Sequence, residues 1–560
     1  MNCLARLLAV TLISHSFSLA DAEKQAATPV FTSATNFVQV PVIVHRSGKH
    51  VAGLKQEDFV LRQDGKEQPI ASFEEVHRTA PAEGLALPTK SVPGQQTTAL
   101  PISIIALDMV DTPNLDRSYF TQEFERYLNN SARLATPTAL VAIERNGIHL
   151  LSEFTTDPKV LLAAAMRNDN AQPSTNNLRE NTIQQITDEK IETFEEGGNS
   201  PQEAAQLLAM MKLRTAEEAM FRFQDRSSRI DTMYAIQQLA QALKGLPGRK
   251  TLLLVGSGFK FVDSNVVLNV VGGGSAGLDL RYSVENGGET LNQTLYTWKL
   301  LNDANVAVYP IDTRRTYNAA FQTMDTSGAN TPSELTFHQN QQADQDVLAT
   351  FKSISAATGG KPCFYRTDLD NCVREAIDDD HDYYLLGFYA DKKNNQPGWH
   401  RIDVKLNQKA DVRYRQGFML AKFNLEATRR NDIGLALKSP FAYTELPFTV
   451  AFEPLGGADG KNAKFTLRIP PQDITFDESN GHADFDVIAI ARSRGGKEAG
   501  RVNQHIARKF PPESIAQIKQ IGIDYSNRLE LGSGEYGVWF VVRDNLSGRT
   551  GSAVVPLKVP

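Results

Sequence analysis

The segment ISIIALDMVDTPNLD, residues 102–116, ends an apolar run on Asp108 and continues with Asp111 and Thr112. Mg²⁺ and Ca²⁺ are held by several oxygens with a carboxylate among them. Asp108, Asp111 and Thr112 offer such oxygens within one turn, at the end of a buried strand. The same residues suit a second task, in which Asp111 or Thr112 caps the next helix and Asp108 is hydrogen-bonded locally. The residues alone leave both open. The spacing does argue against an aspartyl nucleophile for phosphoryl transfer. That chemistry typically places two acids one residue apart, and these are three apart.

Other stretches offer weaker chemistry. VVGGGSAGLDL matches a dinucleotide fingerprint through Gly272, Gly274 and Gly277, and a nucleophile elbow through Ser275. Both motifs need a strand before and a helix directly after. The adjoining residues, LDLRYSVENGG, have no helical face, so a loop is expected. DDDHDYY, residues 378–384, gathers acids around His381, which suits either a metal or a solvated turn, and the turn is the expectation. No His-x-x-x-His pattern occurs. Cys363 and Cys372 close CFYRTDLDNC, where a short-loop disulfide is expected over two buried thiols. No histidine or third thiol stands beside them to complete a zinc site.

The elements that must position these groups sit in a chain of 560 residues, 41% hydrophobic and 22% charged, which is the composition of a globular protein. A net charge of −6 and a pI near 6.0 give no basic surface for nucleic acid. Residues 1–22 read as a signal peptide: Arg6, a short apolar run from Leu7 to Leu19, and the cleavage pattern Ala20-Asp21-Ala22. That run is shorter than the roughly 20 apolar residues a membrane span needs. The mature chain is therefore expected to be exported, to the periplasm, the cell surface or the medium, without a transmembrane segment. It would keep only Cys363 and Cys372, in an oxidising compartment.

Residues 28–77 read as a small antiparallel β module, with turns at Ser47-Gly48-Lys49 and Gln63-Asp64-Gly65-Lys66. Residues 78–99 form a linker. From 100 to 420 strands alternate with helices, which implies a doubly wound, mainly parallel sheet. Asp157-Pro158 opens one helix there. Met233, Ile236, Leu239 and Leu243 mark another, ending at Gly245-Leu-Pro-Gly before the strand Thr251–Val255. Helices through Leu295 and Phe351 flank the strand Val306–Ile311, and Tyr383–Tyr389 is expected to close the sheet. Residues 168–228 interrupt the alternation as a helical insert, with a capping box at Ser200-Pro201-Gln202-Glu203. Residues 421–560 return to strands spaced as in an immunoglobulin-like β-sandwich.

Several of these stretches together resemble a known family. GLKQEDFVLRQDGKEQPI, IALDMVDTP, EFTTDP, LAQALKGLPGRKTLLLVGSGF, ANVAVYPIDTR, ATGG and DYYLLGFYADKKNNQPGWHRIDVKL are similar to the exported, mostly acidobacterial proteins related to the von Willebrand factor type A domain. The resemblance implies a Rossmann-like domain that mediates protein or matrix contacts through a metal-ion-dependent adhesion site. The family's first metal loop, Asp-x-Ser-x-Ser, falls on Asp108, Val110 and Thr112. Asp108 matches, Thr112 stands in for serine, and Val110 cannot ligate. The family's later threonine falls nearest Thr232, and Ser257 and Gly258 stand where its last acid belongs. Asp111 is a substitute ligand outside the family's pattern. Each lost oxygen weakens the hold on a cation that must shed water, so weak Mg²⁺ binding is expected at most.

The function expected is that of a non-enzymatic binding scaffold for an unknown protein or an extracellular or envelope ligand. The alternative is a hydrolase using Ser275 or a metal at Asp108.

Overall fold

A computed structural model describes residues 37–77, 101–110, 112, 114–131, 134–169, 209, 212, 229–257, 288–314, 334–390, 398–420, 425–453, 462–477 and 479–560. The expected signal peptide, the linker, Asp111, Ser275 with its glycine-rich stretch, and nearly all of the 168–228 insert lie outside these residues. The fold is mixed α/β with several sheets.

The first strands are β1 (Phe37–Arg46), β2 (Lys49–His50), β3 (Phe59–Gln63), β4 (Lys66–Glu67) and β5 (Ser72–His77). Both expected turns are present. Ser47 and Gly48, and Asp64 and Gly65, have positive φ in pairs, the conformation whose twist suits a two-residue hairpin.

The segment that carries the candidate site runs β6 (Ile102–Asp108), α1 (Asn114–Asn129), β7 (Thr138–Glu144), β8 (Gly147–Thr155), α2 (Pro158–Asp169), α3 (residues 229–244), β9 (Lys250–Gly256), α4 (Gly288–Asp303), β10 (Val306–Asp312), α5 (Glu334–Thr358) and α6 (Leu369–Asp378). Its sheet has the order β10-β9-β6-β7-β8. β6 pairs in parallel with β7 and β9, β9 pairs in parallel with β10, and β8 is antiparallel to β7. The chain builds outward from β6 on one side and then returns to the other, so the strand order reverses at β6. Every residue of β6, β9 and β10 is buried, as expected of strands covered on both faces. Ile102, Ile104, Ala106, Leu252 and Leu254 face one core with α3, α4 and α5. Ile105, Leu107, Leu253 and Val255 face the other with α1, α2 and α6.

Local signals account for several boundaries. Asp157 Oδ1 accepts the Lys159 N–H at 2.9 Å, with Pro158 at the first helical position. In ATGG, Gly359 takes φ +81° to end α5, and a Cβ on Gly360 would lie 1.9 Å from the Val308 carbonyl oxygen. Cys363 and Cys372 form the expected disulfide. It ties the start of α6 to Cys363, whose N–H and C=O bond to Pro310 and Asp312 of β10 at 2.8 Å each.

The remaining elements are β11 (Asp382–Tyr389), β12 (Gly398–Leu406), β13 (Asp411–Tyr414), β14 (Gly417–Leu420), α7 (Leu425–Lys438), β15 (Thr449–Phe452), β16 (Asn462–Ile469), β17 (His482–Ser493), β18 (Glu498–Lys509), α8 (Pro512–Ile521), β19 (Ile523–Glu530), β20 (Gly534–Asp544) and β21 (Thr550–Val559). Here the structure differs from the sequence reading. β11 does not close the parallel sheet. It lies between β1 and β5, antiparallel to both, and β12 pairs with β3. Residues 37–77 and 382–420 therefore share one core, including Val40, Val42, Leu61, Leu386, Phe388 and Ile402. An N-terminal module reading 28–77 by itself would leave those apolar faces uncovered. The C-terminal strands form two sheets, β15-β16-β19 and β18-β17-β20-β21, on a common core.

The acidic turn 378–382 also differs from expectation. Asp379 and Asp380 are buried rather than solvated. The fully buried Arg249 guanidinium donates to the Asp380 carboxylate, to the Asp379 carbonyl at 3.1 Å and to the Tyr309 hydroxyl at 2.7 Å. Tyr309 donates in turn to Asp379 Oδ2 at 2.8 Å, and Arg413 of β13 pairs with Asp379. Burial pushes the Asp380 carboxyl above its ordinary range, and Arg249 opposes that shift. His381 is engaged by the fold: its Nδ1 lies 3.2 Å from the Ile377 carbonyl oxygen and its Nε2 3.5 Å from the Thr136 hydroxyl.

These contacts set two expectations for stability. Arg249→Met strands the buried Asp380 carboxylate, while Asp379 keeps Tyr309 and Arg413, and should cost about 3–5 kcal/mol, the usual penalty for removing one partner of a buried pair. Urea unfolding of the variant checks this, and a loss below about 1 kcal/mol would contradict it. Removing the Cys363–Cys372 loop closure by a double Cys→Ser substitution should cost about 2.5 kcal/mol on loop entropy for so short a loop. The same measurement reads it.

Candidate functional site

Asp108 ends β6 at the point where the strand order reverses, the place where open parallel sheets leave a crevice beyond their strand ends. Its carboxylate is buried, 1% exposed, and is held by the protein itself. Oδ1 accepts the Val110 N–H at 2.9 Å and Oδ2 accepts the Thr112 hydroxyl at 3.1 Å. Thr112 Oγ1 also accepts the Ser257 N–H at 3.2 Å. Ser257 comes directly after β9, so one threonine hydroxyl joins the ends of two neighbouring parallel strands. A side chain that both donates and accepts is required there, which is why a threonine at this position is informative.

The structure thus brings Asp108, Thr112 and Ser257 together. Val110 sits in the core on the α3 side, where it packs rather than ligates. Thr232 on α3 is buried, and its hydroxyl has no partner among the described residues. It does not line the Asp108 crevice. Asp111, Gly258 and Ser275 fall outside the described residues.

Residues that the motif reading did not single out complete the crevice. Arg117, Phe120 and Thr121 of α1, Met109, Val255 and Thr313 line it with Asp108 and Thr112. The Thr313 hydroxyl is fully buried and without a partner among the described residues, so the crevice presents a polar atom beyond the Asp108–Thr112 pair. Arg117 places a guanidinium in the same crevice, with Nη1 3.6 Å from Met109 Sδ. A fixed cation competes electrostatically with a divalent ion. Beside the crevice, Asp312 at the end of β10 is held by Arg314, whose Nε and Nη2 lie 2.9 and 2.7 Å from its two carboxylate oxygens. Asp312 was legible by the rule that drew attention to Asp108, an acid closing an apolar strand, here VAVYPID. Arg117 and Thr313 carried no such signal.

The arrangement therefore offers a carboxylate with both oxygens engaged by protein donors, a shared threonine hydroxyl, one further hydroxyl and a guanidinium. With both Asp108 oxygens already accepting from the protein, the described residues offer a hard cation few free oxygens. Replacing Thr112 with valine removes a donor from Asp108 and the acceptor from the buried Ser257 N–H. The expected loss is about 1–3 kcal/mol, measured by urea unfolding, with serine at the same position restoring most of it.

No family model matches the chain, and no curated protein matches it. Among solved structures, a Northeast Structural Genomics Consortium target, SoR45, is 16% identical over 20% of this chain and 85% of its own, with a TM-score of 0.14. A Bacteroides uniformis beta-glucuronidase is 11% identical over 32% of this chain, with a TM-score of 0.14. This chain spans 19% of that glucuronidase's length. Likenesses at such scores carry no argument about fold or activity, so the reading of function rests on the crevice.

Proposed function

We propose that this is an exported, non-enzymatic binding protein that engages a protein or envelope ligand through the rim of the Asp108 crevice. The domain is read as a Rossmann-like, von Willebrand type A-like unit with a reduced metal-ion-dependent adhesion site. The observation that carries this reading is the engagement of both Asp108 oxygens by the Val110 N–H and Thr112, which leaves the carboxylate less free to hold a metal. Val110, aligned with a ligating serine of the family, is packed in the core and contributes no oxygen. The reversal of strand order at β6 supports the doubly wound reading. The two C-terminal sheets on one core support the reading of residues 421–560 as an immunoglobulin-like β-sandwich. The disulfide supports export, since such bonds persist in oxidising compartments. Among the described residues no helix is long and apolar enough to cross a membrane.

Thermal unfolding of the whole chain with 1 mM Mg²⁺, Mn²⁺ or Ca²⁺, beside Asp108→Ala, tests the reduced site. An ion of millimolar affinity adds only about 0.4 kcal/mol at that concentration. An Asp108-dependent gain near 2.7 kcal/mol would mean roughly a hundredfold tighter binding and would overturn the reduced site. The same preparation is assayed on generic ester and phosphate substrates. Turnover that disappears in Ser275→Ala or Asp108→Ala would replace the binding reading with a hydrolase.

A further inference from the structure

At the edge of the sheet β13-β1-β11-β5, away from the Asp108 crevice, three nitrogen and oxygen ligands converge. His50, Glu75 and His77 each bring one ligand atom, all within 4.8 Å of one another. Glu75 and His77 are two residues apart on β5 and so share a face. Opposite them in register stand Tyr384 and Asp382 of β11. His50 comes from β2, its ring stacked on Tyr384 at 5.5 Å.

The ring nitrogens are not all satisfied by neutral imidazoles. His77 Nδ1 lies 2.9 Å from Asp382 Oδ1, and its Nε2 lies 3.0 Å from Glu75 Oε1. A neutral imidazole has one N–H, so it can donate to only one of two flanking carboxylates. The other nitrogen presents a lone pair to negative oxygen unless a second proton or a metal ion lies between them. Neither ring nitrogen of the largely buried His50 has a hydrogen-bond partner among the described residues. Its Nε2 lies 3.7 Å from Glu75 Oε1.

We propose that His50 Nε2, His77 Nε2 and the Glu75 carboxylate form a binding site for a borderline divalent transition metal, with Zn²⁺ the best match. In a tetrahedral site with bonds of 2.0–2.1 Å, neighbouring ligand atoms are about 3.3 Å apart. The contacts of 3.0 and 3.7 Å bracket that spacing. Two imidazoles with one carboxylate select zinc, cobalt, nickel or copper over Mg²⁺ and Ca²⁺, which take oxygen ligands. The surroundings are arranged as a ligand shell requires. Asp382 receives the Nδ1–H of His77 and so turns Nε2 inward, the carboxylate–histidine–metal relay. Glu75 is oriented by the Gly53 N–H and the Tyr384 hydroxyl, each 2.9 Å from its Oε1. Half of the His77 side chain is exposed, which leaves the fourth position open to water or to an outside ligand. The metal would fasten the β1–β2 hairpin and the loop after it to the edge strand β5.

The test uses the tag-free full chain, stripped with chelator and titrated calorimetrically with Zn²⁺ and, separately, with Co²⁺ read by its visible spectrum. One ion per chain is expected, with a tetrahedral Co²⁺ spectrum. His50→Gln and His77→Gln should each lose uptake, and Asp382→Asn should weaken it by about 10–100-fold while leaving the circular dichroism unchanged. Asp108→Ala should bind as the parent does, which separates this site from the crevice. Absence of Zn²⁺, Co²⁺, Ni²⁺ and Cu²⁺ uptake would overturn the site and assign the cation between the carboxylates to a proton on His77. Uptake unchanged in both histidine variants would overturn it equally.

Discussion

The buried charge of Arg249 joins the parallel sheet to the β unit of residues 37–77 and 382–420. An unpaired guanidinium at that depth would cost several kcal/mol in desolvation, so the fold must supply it with partners from wherever they can reach. They come from the turn after α6, from Tyr309 in the middle of β10 and, through Asp379, from Arg413 on β13. The parallel sheet and the β unit of residues 37–77 and 382–420 thereby share one ionic network. A second clamp works on the other side. Asp432 on α7 accepts from Gln241 at 2.7 Å, Tyr296 at 3.1 Å and Arg543 at 2.9 Å, which ties α3 and α4 to β20. Both clamps are directional, whereas the apolar cores between them are tolerant of sliding.

That rigidity reaches the crevice. β10 carries Tyr309 in the Arg249 network and, three residues on, Asp312 beside the crevice. Thr112 joins the ends of β6 and β9 by accepting from Ser257 while donating to Asp108. The strand ends are therefore cross-linked by side-chain hydrogen bonds, as a recognition surface needs if it is not to lose binding energy to ordering.

Much of this architecture was legible in the residues. The apolar runs of β6, β9 and β10 announced strands buried on both faces, and Asp157-Pro158 and Asp64-Gly65 marked local boundaries that need no distant partner. β18 and β19 were not legible. Their sequences, EAGRVNQHIARK and IDYSNRLE, are largely polar because much of each strand faces solvent, which hides the period that reveals a strand. The partner of β11 was also hidden, since an apolar strand does not state which sheet it joins.

The sequence by itself determined many local states: where the strongly apolar strands run, which glycines end helices, that Asp108 closes a strand, and that two cysteines nine residues apart would meet. Those depend on backbone preference and apolar period over a few residues. Only the tertiary structure decided that β11 lies between β1 and β5, that Asp380 is buried against Arg249, and that His50 stands beside Glu75 and His77. Each of these joins residues far apart along the chain. Such contacts are selected by the summed burial and charge pairing of the whole fold, and no short window of sequence contains that sum.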